Sequence, residues 1–170
     1  MSTERIRIVP ASPAHVGRIA TRMRLEDQRE CMAKGRDPKT ALRLGLRASV
    51  WAVTAIADGS PIAMFGVAPV SVVADRGNPW FLGTDAVLRY GREFLLHGPA
   101  VVERMQQSFT RLDNSVSISN GPAIRMLERW GFTLEDDPYE VGGVWFVKFW
   151  RDENVRSSTA RPAHPDRGTA

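Results

Sequence analysis

Along the chain the apolar positions switch between a period of two and a spacing of three to four residues, and each switch marks a predicted element. Arg5-Ile6-Arg7-Ile8-Val9 alternates as a half-buried strand does, and Pro10-Ala11-Ser12-Pro13 supplies a strand stop, an N-cap and a first-turn proline. Val16, Ile19, Ala20 and Met23 then share a helix face, a second helical pattern runs from Leu25 to Met32 before Lys34-Gly35, and Asp37-Pro38 opens a third helix carrying Leu42, Leu44, Leu46 and Ala48. From Val50 to Ala57 the period becomes two, Asp58-Gly59 reads as a hairpin turn, and Pro61 to Val67 returns antiparallel. A loop over Ala74 to Pro79 precedes a buried strand at Trp80 to Thr84. Arg92 to Phe109 is a helix with a kink expected at Gly98-Pro99. Further strands are expected at Val116 to Ser119, Phe132 to Glu135 and Val144 to Trp150.

The densest signal is Ser119-Asn120-Gly121-Pro122-Ala123-Ile124-Arg125-Met126-Leu127-Glu128-Arg129-Trp130-Gly131-Phe132. Asn120 or Gly121 suits the N-cap, and the helix is expected to start at Pro122, whose missing N–H needs no partner there. Ala123, Met126, Leu127 and Trp130 form the buried stripe, and Gly131 suits the left-handed residue that ends a helix. Phe132 then begins a strand.

That order, Asn-x-x-Ala-x-x-x-Leu-x-x-x-Gly-Phe after Val116-Ser117-Ile118-Ser119, resembles the second conserved block of the acetyl-CoA-dependent N-acetyltransferases, the GNAT superfamily. The resemblance implies an α/β (α+β) fold, the GNAT-like acyl-CoA N-acyltransferase fold, with a central mixed β-sheet flanked by helices and splayed between its fourth and fifth strands. It also implies that Asn120 lies near the pantetheine arm and is a cofactor-binding residue. At the Leu127 position the family often has a Tyr that protonates the departing thiolate, and Leu has no proton to give.

Composition adds a compartment and a size. The 170 residues, 43% of them hydrophobic, suit one domain; its expected bounds are residues 1–152, with a disordered tail at 153–170 rich in Ser, Pro, Arg and Thr. The single cysteine, Cys31, allows no intrachain disulfide and fits a reducing compartment. Met1 to Pro10 has no apolar signal core and no uncharged run approaches ~18 residues, so no membrane span is expected and cytoplasmic residence is. The net charge of +4 comes mostly from scattered arginines that form no run and no specific nucleic-acid motif.

Acetyl transfer needs a phosphate cradle, an oxyanion donor, a base for the incoming ammonium and usually an acid for the thiolate. The family's cradle is a glycine-rich loop whose backbone N–H groups converge on phosphate. This chain has Val87-Leu88-Arg89-Tyr90-Gly91-Arg92-Glu93-Phe94 there, with one glycine, so acetyl-CoA is expected to bind feebly. Asp85, just after the fourth strand, is the nearest base candidate, although a carboxylate at a strand end is more often a cap; no catalytic residue is assigned. His15, His97 and His164 have no ligand partners at metal spacing, and Ser117, Ser119, Asp113 and His97 lack the Gly-x-Ser-x-Gly elbow of a hydrolase.

A narrower likeness runs through residues 4 to 150. Trp80-Phe81-x-x-Thr84-Asp85-x-Val87, the helix with Phe94 and Met105, and Asn120-x-x-x-Ile124-Arg125-x-Leu127-x-x-x-Gly131 resemble the small internal virion protein A family of T7-like podophages. It implies a degenerate cofactor site, phage structural proteins as partners, residence in the host cytoplasm or virion, and a role in virion morphogenesis. An active N-acetyltransferase acting on an amine is the alternative.

Overall fold

The computed structural model describes residues 5–153; the tail expected at 153–170 lies, apart from Glu153, outside the described residues. In chain order the elements are β1 (Arg7–Pro10), α1 (Pro13–Thr21), α2 (Leu25–Ala33), α3 (Pro38–Ala48), β2 (Trp51–Ala57), β3 (Ser60–Ser71), β4 (Arg76–Gly83), α4 (Ala86–Arg89), α5 (Gly91–Ser108), β5 (Arg111–Ser117), α6 (Gly121–Arg129), β6 (Thr133–Leu134), β7 (Tyr139–Val141) and β8 (Val144–Asp152). The strands form one mixed sheet in the order β1-β2-β3-β4-β5-β8-β6, with β7 also paired to β8. The segment at Val116 therefore lies inside the main sheet, as its pattern predicts.

Alternation along the strands separates two layers. Met64, Trp80 and Leu82 pack with Val16, Ile19 and Leu42 under α1 and α3. Phe65 and Phe81 pack on the opposite face with Phe94 of α5 and Met126 and Trp130 of α6. The helix caps are local. Ser12 accepts from Ala14 N–H at the start of α1, and Asp37 accepts from Thr40 N–H at the start of α3. Asp58 (φ 48°) and Gly59 (φ 72°) turn β2 into β3. Gly131 (φ 83°) ends α6, where its N–H donates to Glu128 O and the Phe132 N–H to Leu127 O.

Several boundaries move. The loop expected at Ala74 to Pro79 is in part strand: β3 and β4 form one long hairpin in which Asn78 and Pro79 pair with Ala68 and Val67. Glycine and proline signal turns locally, but a neighbouring strand overrides them. β5 begins at Arg111, five residues before the predicted strand, and β7 was not anticipated. α5 runs unbroken through Pro99, which leaves the carbonyl of the exposed Leu95 without its helical donor. α6 starts at Gly121 rather than Pro122, and Asn120 occupies the N-cap position without a side-chain capping bond.

α5 and α6 meet at Gly98, where a Cβ atom would stand 1.9 Å from the Trp130 indole. Gly98→Ala should therefore destabilise the fold by about 1–3 kcal/mol through overpacking. Urea unfolding of Gly98→Ala alone and combined with Trp130→Leu checks this, since the smaller side chain should restore much of the loss.

Candidate functional site

β4 and β5 are parallel and pair at only two positions, Arg76↔Arg111 and Gly77↔Leu112, before they part. Asn114 straps the start of the gap: its Nδ2 donates to Asn78 Oδ1 and Pro79 O, both at 2.8 Å. Beyond it the sheet opens into a cleft of about 850 Å³ that runs from α2 and α3 on one face to α5 and α6 on the other. This size suits a ligand of cofactor dimensions.

At the far end of the gap side chains of α2 replace the missing ladder. Gly83 N–H donates to Asp27 Oδ2 at 2.9 Å, and Gly83 O accepts from Arg24 N–H. Arg24 reaches Asp27 Oδ1 at 3.3 Å and Asn120 Oδ1 at 3.1 Å. Asn120 Nδ2 donates to Glu30 Oε1, which also accepts from Ser117 N–H. β4 is thus tied to β5 and to the start of α6 through Asp27 and Glu30 of α2 and its N-cap residue Arg24, spaced three apart so that they lie on one side.

The network is dry. Arg24 is 8% exposed, Asp27 4% and Asn120 2%. Burial, the largest influence, raises the Asp27 carboxyl from its ordinary value near 3.8 to about 6, against the opposing pull of Arg24 and the Gly83 N–H. Cys31 lines the same wall, and burial pushes its thiol up to about 11, so it stays protonated and is no nucleophile.

The backbone of β4 completes the site. Pro79 O is held by Asn114 and both backbone groups of Gly83 are held from α2, so these odd-numbered residues face the gap. Phe81 lies between them and by alternation presents its N–H and C=O to the cleft with no partner on β5. On the α6 side Asn120, Leu127 and Trp130 line the cleft. Trp130 Nε1 is buried and has no hydrogen-bond partner.

The residues singled out in the sequence divide accordingly. Asn120 and Leu127 are in the wall. Asp85 is not: it sits exposed before α4, makes no side-chain capping bond, and does not line the cleft. His97 lines the cleft, whereas His15 is bonded to Thr54 on the opposite face. Asp113 is paired with Arg76 at the closed end of the gap, so no hydrolase triad forms. Among the described residues no group of three or more His, Cys, Asp or Glu is placed to hold a metal ion, and no helix is long and apolar enough to cross a membrane. Sequence reading missed Asp27, Arg24 and Glu30. Their three-residue spacing inside an otherwise ordinary helix was the only local sign.

No family model and no curated protein matches the chain. Solved structures do. The aminoglycoside acetyltransferase AAC(6')-Ib in complex with ribostamycin and coenzyme A superposes with a TM-score of 0.65 at 15% identity, covering 94% of this chain and 100% of that one. The ribosomal-protein-S5-alanine acetyltransferase of Vibrio fischeri matches with a TM-score of 0.62 at 8% identity, over 91% of this chain and 96% of its own. A spermidine N-acetyltransferase SpeG chimera from Vibrio cholerae and hSSAT gives 0.64 at 9%, over 89% and 98%. The likenesses show the fold: the chain has the GNAT acyltransferase fold.

Arg24→Met would leave Asp27 buried without its cation, a loss of roughly 3–5 kcal/mol when the carboxyl is ionised. Because a neutral carboxyl escapes that penalty, the deficit against the parent protein should be larger at pH 7.5 than at pH 5. Denaturant unfolding at both values checks the magnitude and the sign.

Proposed function

We propose that the protein is an acetyl-CoA-dependent N-acetyltransferase. The observation that carries this reading is the cleft through the parted sheet, with one unpartnered donor, Trp130 Nε1, on the α5–α6 side and a buried carboxyl of pKa about 6 on the α2 side. Structures of the same fold hold coenzyme A, which supports the cofactor.

The residues present fit such a ligand. Phe81 N–H and C=O can pair with an amide, as an added strand would. Trp130 Nε1 offers a buried donor. Asn120 has one N–H and one lone pair left after its bonds to Glu30 and Arg24. α5 begins at Gly91 with no side-chain cap, and nothing stands within 4 Å of where a Gly91 Cβ would be. Its first turn, with Arg89 and Arg92 beside it and Glu93 paired to Arg5, is where an anion would sit. The single glycine makes this a sparser phosphate site than a glycine-rich loop, and the arginines supply charge in its place.

Bound acetyl-CoA supplies an acyl thioester. On the α2 side Asp27, ionised above pH 6, takes one proton of the acceptor ammonium, which frees the nitrogen lone pair to attack the thioester carbonyl; as the carbon–sulfur bond breaks, the nitrogen gives up its second proton to solvent and becomes the amide. The cleft brings both substrates together and excludes water between them, which accounts for much of the barrier reduction in such a transfer. Leu127 occupies the wall without supplying a proton, and no tyrosine lines the cleft, so the thiolate leaves unprotonated or takes its proton from water.

A part in virion morphogenesis with phage structural partners, implied by the narrower resemblance, has no support in the comparisons, whose solved structures are acetyltransferases.

Isothermal titration with acetyl-CoA should give a dissociation constant in the micromolar range, and no detectable heat with no thermal shift would defeat the reading. Gly91→Asp puts a carboxylate over that first turn and should weaken binding while leaving the fold as stable or more so. With an acceptor in hand, kcat/KM should rise with pH through about 6 as Asp27 loses its proton; Asp27→Asn should abolish that limb and lower the rate by about 10²–10⁴-fold.

A further inference from the structure

α3 turns two different faces outward. Ala41, Leu44, Gly45 and Ala48 line the α2 side of the cleft, where the acceptor enters. Adjacent to them Lys39, Arg43 and Arg47 stand in file at i, i+4 and i+8, all exposed, and Arg36 precedes them. A shallow surface groove formed by Thr40, Arg43, Leu44 and Arg47 meets the cleft at Leu44, which belongs to both.

These cations are uncompensated. Among the described residues none of the four makes an ion pair. The carboxylate nearest in sequence, Asp37, is spent on the Thr40 N–H and hydroxyl as the helix cap. Like charges four residues apart on one helix face are mutually destabilising, so the file works against the isolated fold and in favour of an anionic partner.

Resting on the acetyltransferase reading, we infer that this file docks an acidic polypeptide segment in extended form, which delivers its own amine past Leu44 into the cleft. The spacing suits such a chain. Four residues of helix advance about 6 Å, and alternate residues on one side of an extended chain are about 6.6 Å apart. Glutamates or aspartates at every second position would therefore each meet one cation. A single-stranded nucleic acid fits less well, because the groove has no aromatic side chain on which bases could stack. A polycationic acceptor would be repelled at the rim.

The test uses a short peptide with a free N-terminus, alternating Glu in its C-terminal half and a fluorophore at the C-terminus, followed by fluorescence anisotropy on the full chain. The acidic peptide should bind more tightly than its Gln counterpart, and raising salt from about 50 to about 300 mM should weaken it markedly. Reversing two exposed charges in R43E/R47E should weaken it by about tenfold or more, while acetyl-CoA titration and melting temperature stay unchanged. Equal binding of the Glu and Gln peptides, indifference to the double reversal, or tighter binding of an oligonucleotide of equal charge would overturn the inference. Acetylation of the peptide N-terminus is measured separately: charge-dependent binding with acetyl-CoA bound but no product would count against the enzyme, not the docking surface, whereas acetylation of a polyamine in preference to the acidic peptide would count against the docking surface and leave the enzyme standing.

Discussion

Everything in this molecule that bears on function depends on the failure of β4 and β5 to stay paired. Two parallel strands that separate inside a sheet expose backbone donors and acceptors on both lips, and buried groups of that kind must find partners or water. Here the lips are satisfied unequally. Pro79 is taken by Asn114 and Gly83 by Asp27 and Arg24, while Phe81 remains open. The same residues that keep the sheet from collapsing across the gap thus leave one strand position free for a ligand.

The two ends of the gap are held by different physics. At the closed end Arg76 grips Asp113 with two bonds of 2.8 Å, and Arg111 joins Asp113 to Asp152. These groups are substantially solvated, with Arg76 42% exposed, so water screens each pair and it adds little. Backbone pairing and the apolar contacts of Leu112 and Phe109 carry that end. At the open end the charges are buried, and removing one partner there is far more damaging than removing an exposed one.

Elements whose signal is local were legible in the sequence. Most of the order of strands and helices, the Asp58-Gly59 turn and the stop at Gly131 depend on residues within a few positions of one another and are found as expected, whereas the short α4 and β7 were not anticipated. Residues whose role depends on distant partners were not. Asp27 meets Gly83 across 56 positions, and Arg24 and Glu30 meet Asn120 across 96 and 90; locally only their three-residue spacing sets these apart from ordinary surface charges. Asp85 was the nearest base candidate because of its place after a strand, though a cap was the commoner reading; the chain turns there into α4 and leaves it in solvent without a capping bond. Asn120 was singled out as a helix cap and as a residue near the cofactor. Its side chain performs the first role nowhere and stands in the cleft wall, where the second remains open to it. The basic residues of α3 look scattered when read linearly and become a file only once the helix aligns every fourth position.

Placing the candidate base inside the structural bridge has a mechanical consequence. Asp27 holds Gly83 with one oxygen and Arg24 with the other, so when it takes a proton it keeps a neutral bond to the backbone and loses most of its attraction to the guanidinium. Arg24 retains Asn120 Oδ1, at the start of the helix that lines the cofactor side. The protonation state of one α2 carboxyl is therefore read on both lips of the cleft. A base positioned on a free loop would have no such coupling, and its pKa would not be raised by burial. In this fold, the desolvation that moves Asp27 toward a useful pKa and the bridging that keeps the sheet parted arise from one cause, the seating of α2 across the gap.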